Sequence, residues 1–232
     1  MAVKKGVFYG VGVGPGDPEL LTVKALRVLK ECPVLACPQT KSGETLALEI
    51  VRQAMDVSDK TILPLSFTMS RDPQVQRAAH EKAADQVCGW LEQGKNVAMP
   101  NLGDVSIYST YCYLMELIKQ RGFQTQMIAG VPSFCAVAAR LGISLTEMNT
   151  PLHIAPGSAD LEEVLQWPGN KILMKSGRQM PEVLKEIEHY GSLSKSSMVQ
   201  NCGLPEERVF SDLSAESPKE TTGYFATVIV KE

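Results

Sequence analysis

The sequence predicts an α/β protein of two domains with mostly parallel sheets, and three observations carry that prediction. Strand-like and amphipathic helical runs alternate along most of the 232 residues. Three glycine-bearing turns, at 10–18, 101–108 and 129–133, each follow a strand-like run and precede a helical one. That puts them at the carboxyl ends of strands, where open parallel sheets gather their ligands. The composition, 44% hydrophobic and 21% charged, lies near the globular average, so the chain has the apolar material to build such a core.

The elements follow in order. Residues 7–13 are β-branched and glycine-rich, and Gly14-Pro15-Gly16-Asp17-Pro18 breaks them off into a turn. A helix is expected over 19–31, with Leu20, Leu21, Val23, Ala25, Leu26, Val28 and Leu29 on one face and Lys24, Arg27 and Lys30 opposite. A strand at 33–37, a helix at 44–57, a strand at 61–64 and a long helix over 72–93 closed by Gly94 come next. The strand 96–100 opens onto the second turn, after which 109–121 reads as a helix capped by Gly122. The later part carries strands at 125–128, 152–155, 171–174, 197–200 and 224–231 and helices at 134–141, 160–166 and 180–190. Its richer punctuation by Pro, Gly and Ser sets a boundary near residue 120, giving domains 1–120 and 121–232.

Bulk properties exclude several classes. A net charge of −3 offers no basic face for a nucleic-acid partner. No apolar stretch approaches the roughly 20 residues of a membrane span, and Met1-Ala2-Val3-Lys4-Lys5-Gly6 runs into a strand rather than a signal core. A cytoplasmic protein is expected. The six cysteines stand singly, as reduced thiols would, and the three histidines lack metal-ligand spacing, so no protein metal site is expected.

The first turn invites a dinucleotide reading and fails it. Counted from Gly10 or Gly12, the third required glycine falls on Pro15 or Asp17, and no acidic residue closes the strand at 33–37. No Gly-Lys-Ser/Thr follows either, so the phosphate-loop reading also fails. Two readings stay open: a loop whose backbone approaches a ligand at Gly14 and Gly16 while Pro15 fixes its path, or a tight turn capped by Asp17. In the second turn Asp104, beside Gly103, is placed to accept hydrogen bonds from a ligand and is a weak candidate base. In the third, Ser133 is a helix cap or a ligand contact.

Taken in order, the three clusters resemble the tetrapyrrole (corrin and porphyrin) methyltransferase family over nearly the whole chain. The family's opening pattern resembles residues 11–21. Its Gly-Asp-Pro matches Gly103-Asp104 with Val105 for the proline, and its third pattern matches 130–133 with Ala129 and Pro132 as departures. Within the family, 103–111, 131–136 and Ser70-Arg71-Asp72 look like the C(20)-methyltransferases of cobalamin synthesis. The resemblance implies a homodimer of two-domain subunits with the tetrapyrrole methylase fold and S-adenosylmethionine in the cleft between domains, leaving as S-adenosylhomocysteine. By motif position it implies cofactor contacts from Pro15, from Leu102, Gly103, Asp104, Val105 and Ile107, from Pro132 and Ser133, from Lys175 or Ser176, and from Asn201 and Cys202.

The expected substrate is precorrin-2 or cobalt-factor II, methylated at the C-20 meso carbon. Gly14, Gly16 and Tyr108 are candidates to face it, with Arg71 and Arg178 for its carboxylates. Arg77 and Lys175 share that chemistry, although Arg77 lies where a helix shows its solvated face, and His153 reads as a packed residue. Other readings stay open: another ring-carbon methyltransferase of the corrin pathway, a diphthamide methyltransferase, or a ligand-sensing α/β module without catalysis.

Overall fold

The computed structural model describes residues 4–39, 45–68, 70, 72–218 and 225–232. The chain divides into two compact units, Met1–Pro132 and Ser133–Glu232.

In the first unit the strands are β1 (Val7–Gly12), β2 (Val34–Gln39), β3 (Thr61–Ser66), β4 (Val97–Asn101) and β5 (Gln124–Ile128). They form one parallel sheet in the order β3-β2-β4-β1-β5. Helices α1 (Val23–Glu31), α2 (Leu46–Ala54), α3 (Pro73–Glu92) and α4 (Tyr111–Gln120) connect them. Side-chain alternation along the strands sorts the helices by face. Leu35 and Ala98 pack with α1 and α2, whereas Val34, Ala36, Val97 and Met99 pack with α3 and α4.

The chain therefore winds β1–β2–β3 over one face and β3–β4–β5 over the other. The connections leaving β1 and β4, which are neighbours, go to opposite faces. This is the switch point at which an open parallel sheet leaves a crevice beyond its strand ends.

Local chemistry explains where the elements start. The helix expected from residue 19 begins at Val23, because Asp17 accepts from the Glu19 N–H (2.8 Å) to cap a short 3-10 turn at Pro18–Leu20. Thr22 then caps α1 by accepting from the Ala25 N–H at 3.1 Å. Val23 is consequently 88% exposed rather than part of the apolar face. Asp72 caps α3 with Pro73 in its first turn.

Because β5 pairs with β1, residues 121–132 group with the first unit, which runs to Pro132.

The second unit holds α5 (Ser133–Leu141), β6 (Leu152–Pro156), α6 (Leu161–Gln166), β7 (Asn170–Met174), α7 (Met180–His189), β8 (Ser196–Gln200), β9 (Arg208–Phe210) and β10 (Ala226–Val230). Its sheet order is β6-β7-β10-β8-β9. Among its described residues only β6 and β7 pair in parallel, because β10 enters between β7 and β8 running the opposite way and β9 folds back on β8. Pairing over the two sheets together is still mostly parallel. Leu173, Met198 and Val228 pack with α6 and α7, and α5 packs against β10.

Candidate active site

The switch point of the first unit is closed by backbone meeting backbone. Val13 N–H donates to the Asn101 carbonyl (2.9 Å), and Gly14 and Gly103 exchange both hydrogen bonds, at 3.3 and 2.8 Å. The turn after β5 comes equally close. A β-carbon built on Gly12 would lie 2.6 Å from the Gly130 nitrogen and 2.7 Å from the Gly103 oxygen. One on Gly130 would lie 2.3 Å from that same oxygen. The three turns singled out in the sequence thus converge on one spot, and only glycine allows it.

Asp104 ties this cluster together. Its Oδ2 accepts from the Gly130 N–H at 2.8 Å, and its Oδ1 accepts from the N–H (2.8 Å) and hydroxyl of Ser106. Burial opposes its charge, but these hydrogen bonds outweigh burial and hold the carboxyl below the usual aspartate range. A general base works best with the opposite shift, toward neutrality; in this structure Asp104 latches two turns together.

The rest of that loop is fixed with equal economy. Ser109 donates from its hydroxyl to Asn101 Oδ1 (2.7 Å) and accepts from the Tyr111 N–H (3.2 Å), joining the strand end to the start of α4. Val105 is 1% exposed within the α3–α4 core, so its backbone alone remains for a ligand. Pro15 and the flanking Gly14 and Gly16 are buried, whereas Leu102 and Ile107 are half-buried. Tyr108 is 45% exposed with its backbone in the left-handed region at φ 49°. Arg71 lies outside the described residues.

In the second unit β7 and β8 end side by side on either flank of β10. Lys175 (φ 56°) follows β7 and Asn201 (φ 54°) follows β8. Among the described residues five other than glycine carry a left-handed backbone, and Tyr108, Lys175 and Asn201 are three of them. Such conformations concentrate where a chain is shaped for a ligand.

Ser176 is fully buried, and its hydroxyl finds no partner among the described residues. Gly157 leaves it room, since a β-carbon there would lie 2.5 Å from Ser176 Oγ. Gln200 Oε1 is likewise buried without a partner. Ser133, at the start of α5, meets Thr227 Oγ1 at 3.2 Å. Burial, reinforced by the Glu207 charge, pushes the Cys202 thiol up to about 11, so it is protonated at neutral pH. Pro132 is half-buried at the end of the first unit. Of Arg178 only the backbone is described, in a short 3-10 turn at Gly177–Gln179.

Sequence reasoning passed over several of these residues. Gly12, Gly130, Asn101, Ser106 and Gln200 stood inside or beside the motifs, but only packing shows what they do. Among the described residues, no group of three or more His, Cys, Asp and Glu is placed to hold a metal, and no helix is long and apolar enough to cross a membrane.

Comparison with known proteins then decides the family. Residues 7–217 match the tetrapyrrole (corrin/porphyrin) methylases. The chain belongs to that family.

Among relatives of this tetrapyrrole methylase, the probable cobalt-precorrin-2 C(20)-methyltransferase of Methanocaldococcus jannaschii is 37% identical over 182 residues, 78% of this chain and 76% of the relative. The cobalt-precorrin-2 C(20)-methyltransferase of Salmonella typhimurium is 29% identical over 232 residues, 98% of this chain and 97% of the relative. The fold is shared with uroporphyrin-III C-methyl transferase from Thermus thermophilus, solved in complex with S-adenyl homocysteine. That likeness has a TM-score of 0.69 at 21% identity and covers 98% of each chain.

Proposed function

We propose that this tetrapyrrole methylase transfers the methyl group of S-adenosylmethionine to C-20 of a precorrin-2-type macrocycle on the route to cobalamin. The observation that carries the reading is the convergence of three motif turns around Gly12, Gly103 and Gly130, with a 37% identical relative named for that reaction. The proposed acceptor is a cobalt-bearing form, cobalt-factor II or cobalt-precorrin-2, because two relatives are named for cobalt-precorrin-2. Metal-free precorrin-2 is the second reading.

The residues suit the donor. Close backbone packing of the three turns brings the loops that follow them together beyond the strand ends, where ligands gather, and the orphan hydroxyl of Ser176 has hydrogen-bonding capacity to offer. The residues proposed to contact the donor are Pro15, Leu102, Gly103, Asp104, the Val105 backbone, Ile107, Pro132, Ser133, Lys175, Ser176, Asn201 and Cys202. When bound, S-adenosylmethionine supplies an electrophilic methyl group on a sulfonium.

What remains for the protein is to hold donor and acceptor in line, a contribution worth about 7–11 kcal/mol. Gly14, Gly16 and Tyr108 would face the macrocycle, and Arg71 and Arg178 would meet its carboxylates. Asp104, committed to its hydrogen bonds, would take no proton, and the proton that C-20 releases after transfer would pass to water. The working form is proposed to be a cytoplasmic homodimer, which light scattering on the purified protein would test.

The deciding experiment supplies methyl-labelled S-adenosylmethionine with cobalt-factor II or precorrin-2 under anaerobic conditions and locates the label by NMR. Label at C-20 is expected, with faster turnover on the cobalt form. Label at any other carbon overturns the reading, and binding of S-adenosylhomocysteine without turnover favours a sensing module.

A further inference from the structure

The loop joining β8 to β9 is bent through three left-handed residues, Asn201 (φ 54°), Gly203 (φ 75°) and Glu206 (φ 65°). A backbone of that kind keeps one shape only where its surroundings fix it. Here the fixing group is Glu207. Its Oε2 accepts from the Gly203 N–H at 2.9 Å, and its Oε1 accepts from Arg140 Nε, at 2.5 Å. The pair crosses 67 positions of sequence, and Glu207 is the more enclosed partner, with 20% of its side chain exposed against 54% for Arg140. Two backbone bonds complete the loop, from Asn201 N–H to the Phe225 carbonyl and from Leu204 N–H to the Asn201 carbonyl, each 2.9 Å.

Arg140 stands near the end of α5, the helix that begins at Ser133 and packs on β10. At the other end of that helix Ser133 meets Thr227. The Arg140–Glu207–Gly203 chain therefore ties the helix carrying Ser133 to the turn carrying Asn201 and Cys202, two pieces that come from distant parts of the sequence.

We propose that Glu207 is a positioning residue for the methyl donor: it holds Asn201 and Cys202 at a fixed distance from α5, and Arg140 orients it. This rests on the reading that Ser133, Asn201 and Cys202 line the donor. Glu207 itself touches no reactant. Removing a charge-assisted acceptor that restrains a backbone should weaken donor binding and leave the macrocycle's own contacts intact.

Calorimetric titration with S-adenosylhomocysteine, steady-state kinetics for both substrates and a thermal melt would be run on the wild type, Glu207→Ala, Glu207→Gln and Arg140→Ala. Glu207→Ala should weaken S-adenosylhomocysteine binding and raise the KM for S-adenosylmethionine by about tenfold, with the KM for the tetrapyrrole unchanged. Glu207→Gln keeps a carbonyl for the Gly203 N–H and should recover most of the loss, whereas Arg140→Ala should fall between the two. If Glu207→Ala does not fold, Glu207→Gln and Arg140→Ala still read the donor KM. Wild-type protein that binds no S-adenosylhomocysteine overturns the donor reading and the clamp with it. Tight wild-type binding matched by the variants, or both KM values rising together, overturns the clamp alone.

Discussion

Gly12 and Gly130 stand so close that a β-carbon on Gly130 would lie 2.7 Å from the α-carbon of Gly12. The atoms in the way are backbone, so no side chain can turn aside to make room. Alanine at either position must push two strand ends apart, and overpacking of this kind costs about 1–3 kcal/mol. Gly12→Ala and Gly130→Ala should each lower the melting temperature by roughly 2–4 °C per kcal/mol lost and weaken S-adenosylhomocysteine binding. Gly89 is the control. It lies inside α3, and a β-carbon there meets nothing within 4 Å, so Gly89→Ala should stabilise the protein by about 0.5–1 kcal/mol. A melt in which Gly12→Ala matches wild type would remove the close approach from the account.

Asp104 makes the same junction sensitive to pH. Burial opposes its ionisation, but hydrogen bonds from Ser106 and Gly130 prevail and lower its folded value. A carboxyl depressed on folding contributes stability that is complete above the ordinary aspartate value of about 3.9. That stability is lost as pH falls through the lower folded value. The gap in melting temperature between wild type and Asp104→Asn should thus be widest near neutrality and close progressively below pH about 4. A gap of constant size from neutral pH to pH about 3 would show that ionisation of Asp104 contributes nothing. Asp104→Ala, which strands the Gly130 N–H, should cost about 1–3 kcal/mol at neutral pH.

Much of this site was legible in the sequence because turn chemistry is local. Glycine and proline between a β-branched run and an amphipathic one mark a strand end whatever the rest of the chain does, and the three turns lie where that logic put them. What was not legible depends on pairing. That β5 belongs beside β1, and that β10 slips antiparallel between β7 and β8, follows from packing of distant segments. The three-residue strand β9 is too short to show a period. The start of α1 was obscured by competing caps at Asp17 and Thr22. The link between Arg140 and Glu207 has no local signature at all.

Tyr111 shows how the neighbouring helix is locked onto the sheet. Its ring covers Gly10, where a β-carbon would lie 2.6 Å from it, and packs 4.8 Å from Phe8. Its hydroxyl lies 3.1 Å from the carbonyls of Phe8 on β1 and Gln126 on β5. Tyr111→Phe keeps the ring and loses the hydrogen bond, so the expected cost is about 0.5–1.5 kcal/mol. Tyr111→Ala also opens a cavity under a fully buried side chain and should cost about 3–5 kcal/mol. Denaturant titration measures both, and equal costs for the two variants would mean that the ring contributes no packing.

Ser176 offers the sharpest separation of stability from function. Its hydroxyl is fully buried without a partner among the described residues, and an unpaired buried hydroxyl costs about 1–3 kcal/mol on mutational scales. Ser176→Ala removes that cost together with the hydroxyl, so the free protein should melt at or above the wild-type temperature. If the hydroxyl is kept for the donor, the same change should weaken S-adenosylhomocysteine by about 3- to 10-fold. The ligand-induced rise in melting temperature should shrink accordingly, since that rise follows RT ln(1 + [L]/Kd). A stabilised variant that binds less well is the signature of a polar group retained for a ligand. A variant that is destabilised, or that binds as tightly as wild type, would mean that Ser176 serves the fold through a partner such as a buried water.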